Sequence, residues 1–457
     1  MYASCVFVRS MTALLMMMAG FIEPVFAQSR AAPPSHEQHQ PQPAEPGQDE
    51  HAHPSPVQDH SQHQMQDMED MQFSPRDASG TAWLPETTPM YGVQQQAGAW
   101  QLMWHGNAFA QFLHESGDRG NDQAGSINWF MGMARRSARG GRLGFRGMMS
   151  LEPWTIGGCG YPDLLASGER CEGEAIHDRQ HPHDLFMELA AEYDRPLRGT
   201  LRWQLYGGLA GEPALGPVAY PHRVSAMPNP LAPLTHHWLD ATHITFGVIT
   251  AGLSRDRWKA EASVFNGREP DEHRANFDFG ALDSVSGRLW FAPAPSVVLQ
   301  VSAGHLNEAE AGHDGGPRVD VDRVTASATY HRQLRTNSLW ATTIAWGRNA
   351  EANEATHALL VETNLTLDER DTWFGRFEVG GKSPSDLDAH DLNEVLTVAK
   401  LQAGYTRYLD AWHRLKPGFG GSLSAGFVPE TLEPVYGRRV NVGFGFFVTL
   451  RPAAHEM

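Results

Sequence analysis

From Ala97 onward the chain falls into segments of about ten residues in which apolar and polar side chains alternate, and the connections between them alternate as strictly. The segments lie near 100–115, 127–138, 141–153, 183–194, 200–211, 241–253, 257–266, 283–292, 296–306, 320–332, 337–348, 357–366, 371–382, 397–408, 415–428 and 439–451. Every second one is followed by a tight turn, such as Arg139-Gly140, Pro293-Ala294-Pro295 or Arg335-Thr336-Asn337. The others lead into longer polar loops, the longest at 154–182 and 212–240. An even number of strands, short turns on one side, long loops on the other and both ends on the short-turn side predict an all-β fold. That fold is a transmembrane antiparallel β-barrel of sixteen strands, with fourteen or twelve as alternatives. A soluble sandwich has no reason to alternate its loop lengths.

Facing follows from parity. In the fourth segment Leu185, Met187, Leu189, Ala191 and Tyr193 share the face expected to meet lipid; in the fifth it is Leu201, Trp203, Leu205 and Leu209. In the sixth, Ile244, Phe246 and Val248 are expected on lipid, with His243, Thr245 and Gly247 toward the lumen. Tyr193, Trp203, Trp258, Phe291, Tyr330, Trp340 and Trp373 sit beside the short turns, where an aromatic girdle belongs. The inward positions carry both charges, among them Arg146, Glu188, Glu192, Arg202, Lys259, Glu261, Glu362, Arg376, Glu378 and Lys400. Such a lumen is either wet or laced by ion pairs, and sixteen strands leave room for an aqueous channel.

The N-terminal part reads differently. Arg9, an apolar run from Met11 to Ile22 and Val25-Phe26-Ala27 before Gln28 make residues 1–27 a secretory signal peptide, too short to span a bilayer. Residues 28–96 read as a disordered His- and Met-rich periplasmic linker. It carries His51, His53, His60 and His63, then Met65, Met68 and Met71, donors for copper in either oxidation state. Beyond the signal only Cys159 and Cys171 remain, and two cysteines in one loop of an exported chain predict a disulfide. A net charge of −17 argues against nucleic acid as a partner. These features place residues 97–457 in the outer membrane of a Gram-negative cell, with its lipid as the first partner and a homotrimer possible.

Two clusters carry the chemistry. His177, His181, His183 and Asp184 precede the fourth segment; His222, then His236, His237, Asp240 and His243, belong to the 212–240 loop and the start of the sixth. Segments four to six are neighbours, so the clusters are expected to meet at the extracellular mouth. Imidazoles and carboxylates there suit Zn(II), Cu(II) or Ni(II), or else hydrogen bonds that rivet long loops to the rim. A metal-dependent hydrolase is the competing reading; Ser225 lies near, but no G-x-S-x-G setting exists.

The runs Gln180-His181-Pro182-His183-Asp184, Gly211-Glu212-Pro213-Ala214-Leu215-Gly216-Pro217-Val218-Ala219, Pro221-His222-Arg223, Ala232-Pro233-Leu234-Thr235-His236-His237 and Asp240-Ala241-Thr242-His243-Ile244 resemble a widespread, uncharacterised family of exported bacterial β-barrel proteins. The resemblance spans about residues 97–451 and implies no activity. The order of a Met/His-rich leader and a barrel is similar to copper-resistance outer-membrane proteins of the B type, in arrangement only. It implies copper or another transition metal. With the barrel's girth and the His/Asp clusters, the chain is expected to act as a channel or a metal-handling component, with copper or zinc as cofactor or cargo, a small solute or metal ion as partner and a periplasmic metal-handling partner reached through the leader.

Overall fold

The computed structural model describes residues 73–310, 317–351 and 354–454. The signal peptide and the donors from His51 to Met71 lie outside these residues.

Nineteen strands run in chain order: β1 (Val93–Ala97), β2 (Trp100–Glu115), β3 (Asp122–Ala138), β4 (Gly141–Met149), β5 (Tyr161–Cys171), β6 (Glu174–Gln180), β7 (Phe186–Arg198), β8 (Leu201–Ala210), β9 (Val248–Arg255), β10 (Trp258–Phe265), β11 (Ser284–Ala294), β12 (Val297–Glu310), β13 (Val319–Arg335), β14 (Ser338–Glu351), β15 (Glu354–Leu367), β16 (Asp371–Lys382), β17 (Leu396–Tyr408), β18 (Leu415–Phe427) and β19 (Val440–Pro452). β5 and β6 form a separate hairpin, and β1 pairs only with β2. The other sixteen are antiparallel neighbours throughout, and β19 pairs with β2 to close the barrel. Closure leaves no sheet edge, which a bilayer demands.

The outer face is apolar. Leu423 is 70% exposed, and Leu205, Leu209, Ile249, Leu253, Val285, Val301 and Phe446 project with it. Aromatic pairs ring the short-turn end: Tyr193 with Trp203, Trp258 stacked on Phe291 at 4.0 Å, Tyr330 with Trp340, and Trp373 with Tyr405. An apolar band bounded by aromatics fits a lipid bilayer, and the protein is an outer-membrane barrel.

Inside, most of the predicted charges are buried and several are paired. Arg146 meets Glu188, Lys259 meets Glu261, Arg376 meets Glu362 and Lys400 meets both Glu115 and Asp163.

The lumen is filled by the chain itself. No residue from Gly211 to Val248 is exposed, because the stretch between β8 and β9 turns inward. It bonds to the wall on many sides. Ala214 N donates to Ser263 of β10, Gly216 N to Ser302 of β12, Asn229 to Gln402 of β17, and Asn107 of β2 donates to the Met227 carbonyl. Gly347 in β14 lets Trp238 lie against the wall; a Cβ there would stand 2.4 Å from the Trp238 carbonyl oxygen.

Four expectations change. The linker boundary moves: residues 73–96 are ordered, with Ala78, Ala82 and Leu84 packed on Val218, Trp290 and Val298 at the short-turn end. Arg146 donates to the Ala78 carbonyl and Lys259 to the Thr81 carbonyl, so a polar segment finds its backbone partners inside the lumen. The sixth barrel strand starts at Val248 rather than 241, because a helical turn over Ala241–His243 interrupts the alternation. Ile244, Phe246 and Val248 are therefore buried inside, and Ile249 faces lipid. Met187 also points inward, since the register shifts where Met148 and Met149 of β4 face β7.

Candidate functional site

The 154–182 loop becomes a short helix α1 (Glu152–Thr155) and the β5–β6 hairpin, tied by Cys159–Cys171 with 5.7 Å between Cα atoms. Below it the inserted stretch forms α2 (His236–Leu239) and the turn Ala241–His243. These elements bring His181, His183, His236, His237, Asp240 and His243 together under the extracellular mouth. His236 lies 5.0 Å from His243 and 5.4 Å from His237, centre to centre, and His183 lies 5.4 Å from His243. Gly168 of β5 gives His237 its place; a Cβ there would reach 2.2 Å from the ring.

Two predicted members lie elsewhere. His177 sits on β6 with Nδ1 on the Asp386 carbonyl. His222 lies among Met148, His105 and Trp129.

The carboxylates act as rivets. Asp240 accepts from Arg223 at 3.0 Å, from the Tyr220 amide at 2.7 Å and from His236 Nδ1 at 2.9 Å. Burial opposes its charge, but Arg223 and His236 outweigh burial and hold its pKa below the usual carboxylate range. Asp184 lies 3.6 Å from Arg274, and burial pushes its pKa up to about 7.

The imidazoles fall into two classes. Burial pulls His183 down, yet Glu152, 2.9 Å from Nδ1, overrides it and raises the pKa. The Nε2 of His183 meets the Tyr220 hydroxyl at 2.8 Å, so this ring is fully engaged. His181, His236 and His243 are instead held below the ordinary value by burial. Each turns Nδ1 to an oxygen that only accepts: the Pro182 carbonyl, the Asp240 carboxylate and the Asp240 carbonyl. Nδ1 must then carry the proton, and in these neutral rings Nε2 is a bare lone pair. The buried Nε2 atoms of His181, His237 and His243 have no hydrogen-bond partner among the described residues. His181 Nε2 is 3.1 Å from Glu169 Oε1, off the hydrogen-bond line.

Nδ1 tied to an oxygen with Nε2 left free is the way metal-binding histidines are oriented. Two imidazoles sharing a tetrahedral ion put their ring centres roughly 5 Å apart, close to the spacings around His236. Among the described residues no three His, Cys, Asp or Glu side chains already converge as ligands, so loading an ion requires ring rotation. Ser225 donates to Glu362 and shares a hydrogen bond with Thr343; these bonds do not couple it to an imidazole base.

Sequence reasoning missed Glu152, Glu169, Tyr220, Arg223 and Arg274, which orient or neutralise the cluster. The only signal was that Tyr220 and Arg223 flank His222 in a loop short of other charges.

No family model matches the chain, and no curated protein matches it. Solved structures similar in fold include OmpT, an outer membrane protein of Vibrio cholerae, at 8% identity over 78% of this chain and 99% of that one, TM-score 0.46. The anion-selective porin from Comamonas acidovorans is 8% identical over 77% and 99%, TM-score 0.47. The OmpF of Salmonella typhi in complex with daunomycin is 13% identical over 79% and 100%, TM-score 0.46.

Proposed function

We propose that this outer-membrane barrel handles a divalent transition-metal ion, Cu(II) or Zn(II), held by the Nε2 atoms of His236 and His243 with His237 or His181 completing the set. The observation that carries the reading is the buried, bare Nε2 of a neutral His243, 5.0 Å from the neutral His236 ring, in a site whose carboxylates are already spent on Arg223 and Arg274. His183 takes the other role, a rivet to Glu152. A channel gated by the inserted stretch is the second reading, favoured by the sixteen-strand girth, and the two are compatible.

The test is Cu(II) and Zn(II) titration of the full chain against a His236→Ala/His243→Ala variant. Affinity is expected to fall by at least about 100-fold, since even outer-shell changes cost 10- to 100-fold. Burial has already lowered the pKa of His181, His236 and His243, so protons do not compete until the pH drops well under the ordinary imidazole value. Affinity should therefore begin to fall at a lower pH than it does for ordinary imidazoles, which weaken as pH falls through about 6.5. Unchanged binding in the double variant, or a steep loss through pH 6.5, sinks the proposal.

A further inference from the structure

A second donor cluster lies in the lumen against β2, β3, β4 and β7, built from sulfur rather than carboxylate. Met103, Met131, Met133, Met148 and Met187 are all at most 9% exposed and pack in one group. Strand register makes the group a grid. His105 of β2 pairs across with Met131 of β3, and Met131 pairs across with Met148 of β4. One row across these three strands thus reads imidazole, thioether, thioether, with neighbours about 5 Å apart. Met103 pairs with Met133 in the adjoining row. From the inserted stretch His222 reaches this row: its Nε2 lies 3.3 Å from the Met148 sulfur, and its ring is 5.5 Å from that of His105. The buried Nε2 of His105 has no hydrogen-bond partner among the described residues.

A barrel lumen ordinarily carries polar side chains, so five inward methionines need a reason. Filling irregular space is one. It does not account for an imidazole nitrogen of His222 set on the Met148 sulfur, beside a buried and unpartnered nitrogen of His105, whose residue pairs across to Met131. We propose that Met131 Sδ, Met148 Sδ, His105 Nε2 and His222 Nε2 form a binding site for a soft monovalent ion, Cu(I) by chemistry. Thioether and neutral imidazole suit Cu(I), and the absence of a carboxylate from this donor set disfavours harder divalent ions. Met103, Met133 and Met187 exclude water around it. The site extends the metal reading to the reduced ion but uses none of the same donors, so each can fail without the other.

The probe is Ag(I), a redox-inert stand-in, followed by Cu(I) under ascorbate, each against a competing chelator. Every sample is the full chain with Met65, Met68 and Met71 changed to Leu, so that leader sulfur cannot contribute. One ion is expected to resist the competitor in this background and in the His236→Ala/His243→Ala variant. Met131→Leu with Met148→Leu should weaken it about 100-fold. Leucine conserves volume and the barrel should remain folded, which heat-modifiable gel migration checks. Should the variant not fold, X-ray absorption on the unsubstituted barrel decides: sulfur in the first coordination shell supports the site. No retained ion, equal retention in a folded methionine variant, or a shell without sulfur overturns it.

Discussion

Replacing residues 214–243 by a short Gly/Ser turn is expected to convert a barrel that passes little current into a steadily conducting channel. The removed stretch contains the backbone and side chains that bond to β2, β10, β12, β14, β15, β16 and β17 across the lumen. What it leaves behind is a wall whose charges, Glu362, Arg376, Glu378 and Lys400 among them, can be taken over by water. A sixteen-strand barrel then has an aqueous interior. Single-channel recording in planar bilayers reads the outcome, and removing residues 73–90 as well should raise the conductance further by clearing the short-turn end. If the first deletion leaves the conductance at the unmodified level, the inserted stretch is not the barrier.

Arg223→Ala is expected to be the most destabilising single substitution in the interior. Arg223 is fully buried and ties Glu362 of the wall to Asp240 of the insert, while donating to the Val218 carbonyl. Deleting one partner of a buried ion pair leaves uncompensated charge and costs about 3–5 kcal/mol. Two carboxylates lose a partner here, although Arg376 still serves Glu362 and His236 still serves Asp240. The loss should appear as a lower denaturant midpoint, and the freed Asp240 should loosen His236 and weaken metal binding in the same variant. A companion Glu362→Gln measured in a double-mutant cycle should show coupling of about 0.5–3 kcal/mol with Arg223. An unchanged midpoint for Arg223→Ala would mean that the insert is anchored by its backbone bonds alone.

The barrel was legible because a lipid-facing wall writes itself into the chain as period two, and because turn length alternates with side. Leu205, Leu253 and Phe446 reveal their facing from one strand's worth of neighbours. The insert was not legible. Its prolines and glycines carry no periodicity, and its burial is decided by contacts such as Asn229 with Gln402 that join positions far apart in the chain. Parity also misled wherever a local irregularity reset it: the turn at Ala241–His243 moved Ile244 and Phe246 inside, and the shift opposite Met148 did the same for Met187. At the site, the grouping of His181, His183, His236, His237 and His243 could be read from strand order. The different partners of the rings could not, since it takes the fold to set Glu152 on His183, the Asp240 carboxylate on His236 and carbonyl oxygens on His181 and His243. The methionine row needed exact strand registers, which sequence does not supply.

Of the pieces of chain that occupy the lumen, two are fastened differently. The stretch from Gly211 to Gly247 is anchored at both ends, running out of β8 and into β9, and the Gly211–Thr245 bridge pinches its neck. It can shift or fold aside, but it has no free end by which to leave. Residues 73–92 hang from the barrel at one end, through β1. Tension applied to the chain at residue 73 would peel them out one contact at a time, starting with Phe73 under Arg135 and then the salt bridge between Asp77 and Arg135, while the doubly anchored piece stayed put. A barrel so arranged has a mechanical polarity: one of these pieces yields to a pull on its end, and the other has no end to pull.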